Sequence, residues 1–94
     1  MKAIKINSLW CPSCLIMKPI FEELAQELAI TITDLDFDLD DEEVAKYSVG
    51  RILPVLIFLT DEGQELVRFI GEKKKSDIIN KLNEVRIKWK KYLS

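Results

Sequence analysis

Both cysteines of this chain lie in one stretch, Trp10-Cys11-Pro12-Ser13-Cys14, and Pro19 follows five residues after the second. Pro12 suits the first position of a helix, where its fixed φ helps and its missing N–H would have had no partner. Cys11 then falls at the helix cap, with free backbone N–H groups and roughly half a positive elementary charge facing its sulfur. That setting favours thiolate over thiol, and the thiolate is the nucleophile. Cys14 lies one turn along the same face, close enough to close a disulfide. An exposed, activated thiol with a second thiol in reach attacks a disulfide, forms a mixed disulfide and resolves it. A zinc half-site or a small structural disulfide would use the same pair differently. Zinc wants four ligands, and the chain has no histidine and no second cysteine pair.

The elements that must position this pair follow from the patterning. Residues 2–7 form a short strand that delivers it, with Lys5 unusual in such a place. A helix is expected over about 12–29, because Ile16, Ile20, Leu24 and Leu28 recur every four residues with Met17, Phe21 and Ala25 beside them. Pro19 removes one hydrogen bond inside it and should kink it, leaving the first turn exposed while later turns pack on a sheet. Residues 31–38 alternate as a strand, with Asp34, Asp36 and Asp38 on one parity and Leu35 and Phe37 on the other. The acidic spacing fails as a calcium loop, since the sixth position is Leu39 and the twelfth Ala45. A charged edge strand is the better reading, because acidic edges discourage sheet-to-sheet aggregation.

Asp40 is expected to cap a short helix over 41–47. Leu53-Pro54 opens the most apolar run, Val55 to Leu59, which reads as a central buried strand. Thr60 to Gly63 form a hairpin turn, Gln64 to Ile70 return antiparallel, and Gly71 ends the strand. A final helix over about 75–92 carries Ile78, Leu82, Val85 and Trp89 on one stripe, capped by Ser76 or a neighbour. The order is β-α-β-α-β-β-α, an α/β domain with a four-stranded mixed sheet flanked by helices, one domain over residues 1–94.

Trp10-Cys11-Pro12-Ser13-Cys14 with Pro19 resembles the Trp-Cys-Gly-Pro-Cys active site of thioredoxins, whose helix carries a proline at the same spacing. The resemblance extends to Leu53-Pro54 and Gly71 and implies the thioredoxin fold, lacking the leading strand and helix of full thioredoxins. It implies that Pro54 is cis and faces the cysteines, that Leu53 offers backbone hydrogen bonds to a substrate chain, and that Gly71 lets the substrate approach. Trp10 would flank the docking groove or simply pack as an aromatic, and Pro12 would line the groove, with Ser13 in support. One departure is informative. Thioredoxins place a buried Asp where this chain has Lys5, and often a lysine where it has Asp34. The pair is expected to be swapped, with Lys5 and Asp34 in contact, a lysine there favouring thiolate.

The resemblance implies a thiol–disulfide oxidoreductase, Cys11 attacking and Cys14 resolving. It would reduce protein disulfides and be re-reduced by a reductase, with no bound cofactor or metal beyond the redox-active Cys11–Cys14 disulfide. The Pro-Ser dipeptide lacks the histidine of strongly oxidising relatives, which favours a reductant or mild exchanger. Alternatives are a glutathione-linked, glutaredoxin-like exchanger, a carrier holding Cu(I) on soft thiolates, and a non-catalytic docking module. Copper carriers have β-α-β-β-α-β order, which the helix at 41–47 opposes. A formal charge of −2 argues against general nucleic-acid or membrane-surface binding. Without an apolar leader or a run of membrane-spanning length, the chain reads as cytoplasmic, and a monomer is expected.

Overall fold

A computed structural model describes residues 1–93, with side chains through Lys88. The elements are β1 (Lys2–Asn7), α1 (Pro12–Leu28), β2 (Ile32–Asp36), α2 (Asp41–Ala45), β3 (Val55–Leu59), β4 (Glu65–Ile70) and α3 (Lys75–Leu93). They form one mixed sheet in the order β2-β1-β3-β4. β1 runs parallel to β2 and antiparallel to β3, and β3 and β4 form an antiparallel hairpin. This is the expected element order and layer arrangement.

β3 explains why the sheet has helices on both sides. All five of its residues are buried, and alternation sends them to two separate cores. Leu56 and Phe58 pack with Ala3 of β1, Met17, Phe21 and Leu24 of α1, and Ile78 and Leu82 of α3. Val55, Ile57 and Leu59 pack on the other face with Ile4, Ile6, Leu53 and Val44 of α2. A run apolar at every position is what a strand covered on both faces requires. The hairpin closes with Gly63 at φ +92°, a left-handed conformation that glycine adopts without steric cost.

Five local expectations are corrected. Ile16 stands on the recurring apolar stripe of α1 but is 56% exposed, and the first core residue of the helix is Met17. No residue from Pro12 to Ile16 is buried, so the opening turn stands clear of the sheet, and α1 continues unbroken through Pro19. β2 stops at Asp36 rather than 38, because the Asp36 carboxylate accepts the backbone N–H groups of Asp38 and Leu39, both at 2.9 Å, and turns the chain. Asp40 occupies the cap of α2 without capping it. Its carboxylate reaches back to the Asp36 N–H at 2.8 Å, and α2 ends at Ala45. α3 begins at Lys75, which places Ser76 inside its first turn. Trp89, assigned to the stripe of α3, lies outside the described side chains. β2 is an edge of the sheet, with Thr33 and Asp34 exposed.

Candidate functional site

The cysteine pair sits where β1 hands over to α1, at one end of the sheet. Cys11 is the N-cap residue of α1, with extended backbone (φ −98°, ψ 108°), and Pro12 opens the helix. The Cys11 sulfur accepts the backbone N–H of Cys14 at 3.2 Å. One of the helix's otherwise unpartnered amides therefore points at the sulfur, the geometry that accommodates negative charge there. Both thiols are free. Cys11 is more enclosed than an exposed nucleophile was expected to be, at 6% exposure. The cause is a contact no local pattern shows: its thiol lies 3.6 Å from the Leu53 carbonyl oxygen, to which it donates.

Leu53 is held there by its own neighbourhood. The Leu53–Pro54 peptide is cis, both residues are buried, and the Gly71 N–H donates to the Pro54 carbonyl at 2.8 Å. Gly71 has φ +81°, and a Cβ on it would lie 3.4 Å from Ile52. Any side chain there would have to adopt a left-handed backbone with its Cβ already in contact with Ile52. Cys11, Cys14, Leu53, Pro54 and Gly71 are thus brought to one place from three separate stretches. Around them stand the exposed apolar side chains of Trp10, Ile52 and Ile70.

Trp10 is 60% exposed, yet it is oriented. Its indole N–H donates to Asp38 at 2.8 Å, and its ring meets Phe37 edge-on at 6.4 Å. The Ser13 hydroxyl donates to the Glu72 carboxylate at 2.8 Å, tying the residue between the cysteines to the turn after β4. Lys5 and Asp34 are register partners on β1 and β2, and their side chains form an ion pair at 2.9 Å. Asp38 and Glu72 were not singled out from sequence. Glu72 follows Gly71 directly, but nothing local marks it as reaching a residue 59 positions away.

Cys14 differs from Cys11 in its surroundings. Burial and the hydrogen bond with Cys11 push its thiol up to about 11, against smaller opposing effects of the Ser8 backbone and the Lys5 charge. Relative to the ordinary 9.0, the folded reduced protein holds this proton more tightly than the unfolded chain. Stability of the reduced form associated with Cys14 is therefore intact below about pH 9 and is lost as pH rises toward about 11. Urea unfolding of the reduced protein at stepped pH should show this decline, and Cys14→Ser should remove that part of it. Identical pH dependence in the two proteins would contradict the assignment.

Among the described residues, no three Cys, Asp or Glu side chains cluster as metal ligands, and no helix is long and apolar enough to cross a membrane. The sequence matches the family model described as Thioredoxin over residues 3–84. It is 36% identical over 78 residues to a thioredoxin of Mycobacterium tuberculosis, covering 81% of this chain and 66% of that protein. The chain thus spans just under two thirds of that relative. It is 31% identical over 78 residues to a bifunctional thioredoxin reductase/thioredoxin of Mycobacterium leprae, covering 81% of this chain and 17% of that one. Thioredoxin 1 of Thermosipho africanus superposes with a TM-score of 0.78 at 26% identity, covering 89% of this chain and 92% of that one.

Proposed function

We propose, for a chain that belongs to the thioredoxin family, that it is a thiol–disulfide oxidoreductase reducing protein disulfides through Cys11 and Cys14. The observation that carries the proposal is the Cys11 sulfur at the N-terminus of α1, receiving the Cys14 amide, with the Cys14 thiol on the same turn. Cys11 as thiolate attacks one sulfur of the substrate disulfide, and the other leaves as a thiolate. Cys14 then attacks Cys11 and releases the second substrate thiolate, closing the Cys11–Cys14 disulfide. Two electrons pass from the protein to the substrate.

The other site residues act by docking. An extended substrate chain would lie along the backbone at Leu53 and against Gly71, where no side chain blocks it. Trp10 and Pro12 would form one apolar flank of the groove. Ser13, bound to Glu72, would hold the turn between the cysteines against the far flank. The protein would work as a monomer in one domain, without a bound cofactor, in a reducing compartment such as the cytoplasm, where both thiols persist. A reductase must restore the dithiol. The M. leprae relative, named as a reductase and thioredoxin in one chain, supports a thioredoxin reductase in that role. The relatives reported above are thioredoxins, which favours this reading over a glutathione-linked exchanger or a metal carrier.

Cys14→Ser tests the order of attack. With a protein disulfide substrate it should accumulate a mixed disulfide on Cys11, seen by mass spectrometry as a stable adduct, while multiple turnover falls by about two orders of magnitude. Absence of any adduct on Cys11, or undiminished turnover, would overturn the proposal.

A further inference from the structure

A cleft of about 310 Å³ opens beside Cys14, and Lys5, Asn7, Ser8, Lys18 and Asp34 line it. Lys5 is the unusual member. Its side chain is 13% exposed and its ammonium lies 5.7 Å from the centre of the Phe21 ring, so it is fixed between β1 and α1. Asp34 pins it from β2 at 2.9 Å, and the same carboxylate oxygen accepts the Asn7 amide at 3.0 Å. Asp34 itself is 65% exposed. Its charge is screened by solvent, whereas the enclosed ammonium acts on Cys14 across less polarisable surroundings.

The charged and titratable groups around this cleft are few. β1 supplies Lys5, β2 supplies Asp34, and α1 supplies Cys14 and Lys18, with Cys11 one turn before; Glu22 of α1 lines a neighbouring cleft with Lys5, Lys18 and Asp34. Asp34 is the one carboxylate lining the Cys14 cleft among the described residues, and Lys5 and Asn7 already occupy it. A desolvated thiol that must ionise to react therefore faces a fixed cation and lacks a free carboxylate.

We propose that Lys5 is a positioning residue for the resolving step, its pinned ammonium stabilising the negative charge that Cys14 acquires as it attacks Cys11. The inference rests on the disulfide-exchange reading above and adds a specific cause for the rate of its second half. Cys14 gives its proton to solvent, and its sulfur bonds to the Cys11 sulfur. The bond from Cys11 to the substrate sulfur breaks, and that sulfur leaves with the electron pair and is protonated from solvent. Lys5 keeps its proton throughout. The upward displacement of Cys14 by burial, opposed by the Lys5 charge, agrees in sign.

The test is a rapid-mixing reaction of the reduced protein with 5,5′-dithiobis(2-nitrobenzoic acid), whose coloured thiolate reports each step. The first release marks attack by Cys11 and the second marks resolution by Cys14. Lys5→Gln should lower the ratio of the second rate to the first by about five- to tenfold at neutral pH and move the pH profile of the second phase upward. Lys5→Arg should restore the ratio to within about twofold, because it keeps the charge. Asp34→Asn breaks the same ion pair but leaves the ammonium unneutralised, so its profile should move to lower pH. A merely structural ion pair would shift Lys5→Gln and Asp34→Asn in the same direction. That result, or a Lys5→Gln profile superimposed on wild type, overturns the inference. Absence of any second release from the wild-type protein would instead overturn the dithiol mechanism itself.

Discussion

Cys11→Ser is expected to bring disulfide reduction down to the uncatalysed background, a loss of about three orders of magnitude or more. The hydroxyl is close in size to the thiol and can occupy the same enclosed site under the Leu53 carbonyl. It can accept the Cys14 amide as the sulfur does. What it lacks is an accessible anion at neutral pH and an affinity for sulfur, and both are needed for the first attack. The variant should therefore fold and unfold much like the wild type while doing no exchange. Insulin reduction followed by turbidity, with urea unfolding alongside, separates the two effects. Retention of full activity would remove Cys11 as the nucleophile and favour a non-catalytic docking module.

Phe58→Ala should be the most damaging single change to the fold. Phe58 is fully buried on β3, on the face shared by α1 and α3, and meets Phe69 edge-on at 6.0 Å. Truncation removes its transfer energy and the aromatic pair and leaves a cavity that two helices and a hairpin must close, about 3–5 kcal/mol in all. A domain of this size typically holds only about 5–15 kcal/mol. Its melting temperature should fall by roughly 15–30 °C. Ile16→Ala, at a position 56% exposed, should change stability by less than about 0.5 kcal/mol. Comparable losses from the two variants would show that the core has been placed on the wrong face of α1.

That contrast also marks how far the sequence could be read. Periodicity placed α1 within a residue of its observed end and identified Val55 to Leu59 as the central strand. It could not choose between two adjacent stripes of α1. Ile16 and Met17 are both apolar, and only the height of the first turn above the sheet exposes one and buries the other. The aspartates were legible as an edge. Their further use, the Asp36 carboxylate accepting the Asp38 and Leu39 N–H groups while the Asp40 carboxylate accepts that of Asp36, depends on backbone conformation that composition does not encode.

The site divides along the same line. Two cysteines one helical turn apart, a proline opening that turn, and the absence of histidine are covalent facts, and the chemistry they permit was set by residue identity and local spacing alone. The Lys5–Asp34 contact was accessible too, through the resemblance to thioredoxins, which place an acid and a lysine at these two positions; the pairing of β1 with β2 makes them register partners. Tertiary structure alone decided the rest. It set the enclosure of Cys11 by the Leu53 carbonyl, the bond from Gly71 to Pro54, the bridge from Ser13 to Glu72, and the cleft that places Lys5 beside Cys14. The contacts of Cys11 with Leu53 and of Ser13 with Glu72 join positions 42 and 59 residues apart, where no spacing rule operates. They arise only once burial of β3 on both faces has set it antiparallel to β1 and β4, which brings its first residues and the end of β4 to the cysteine turn.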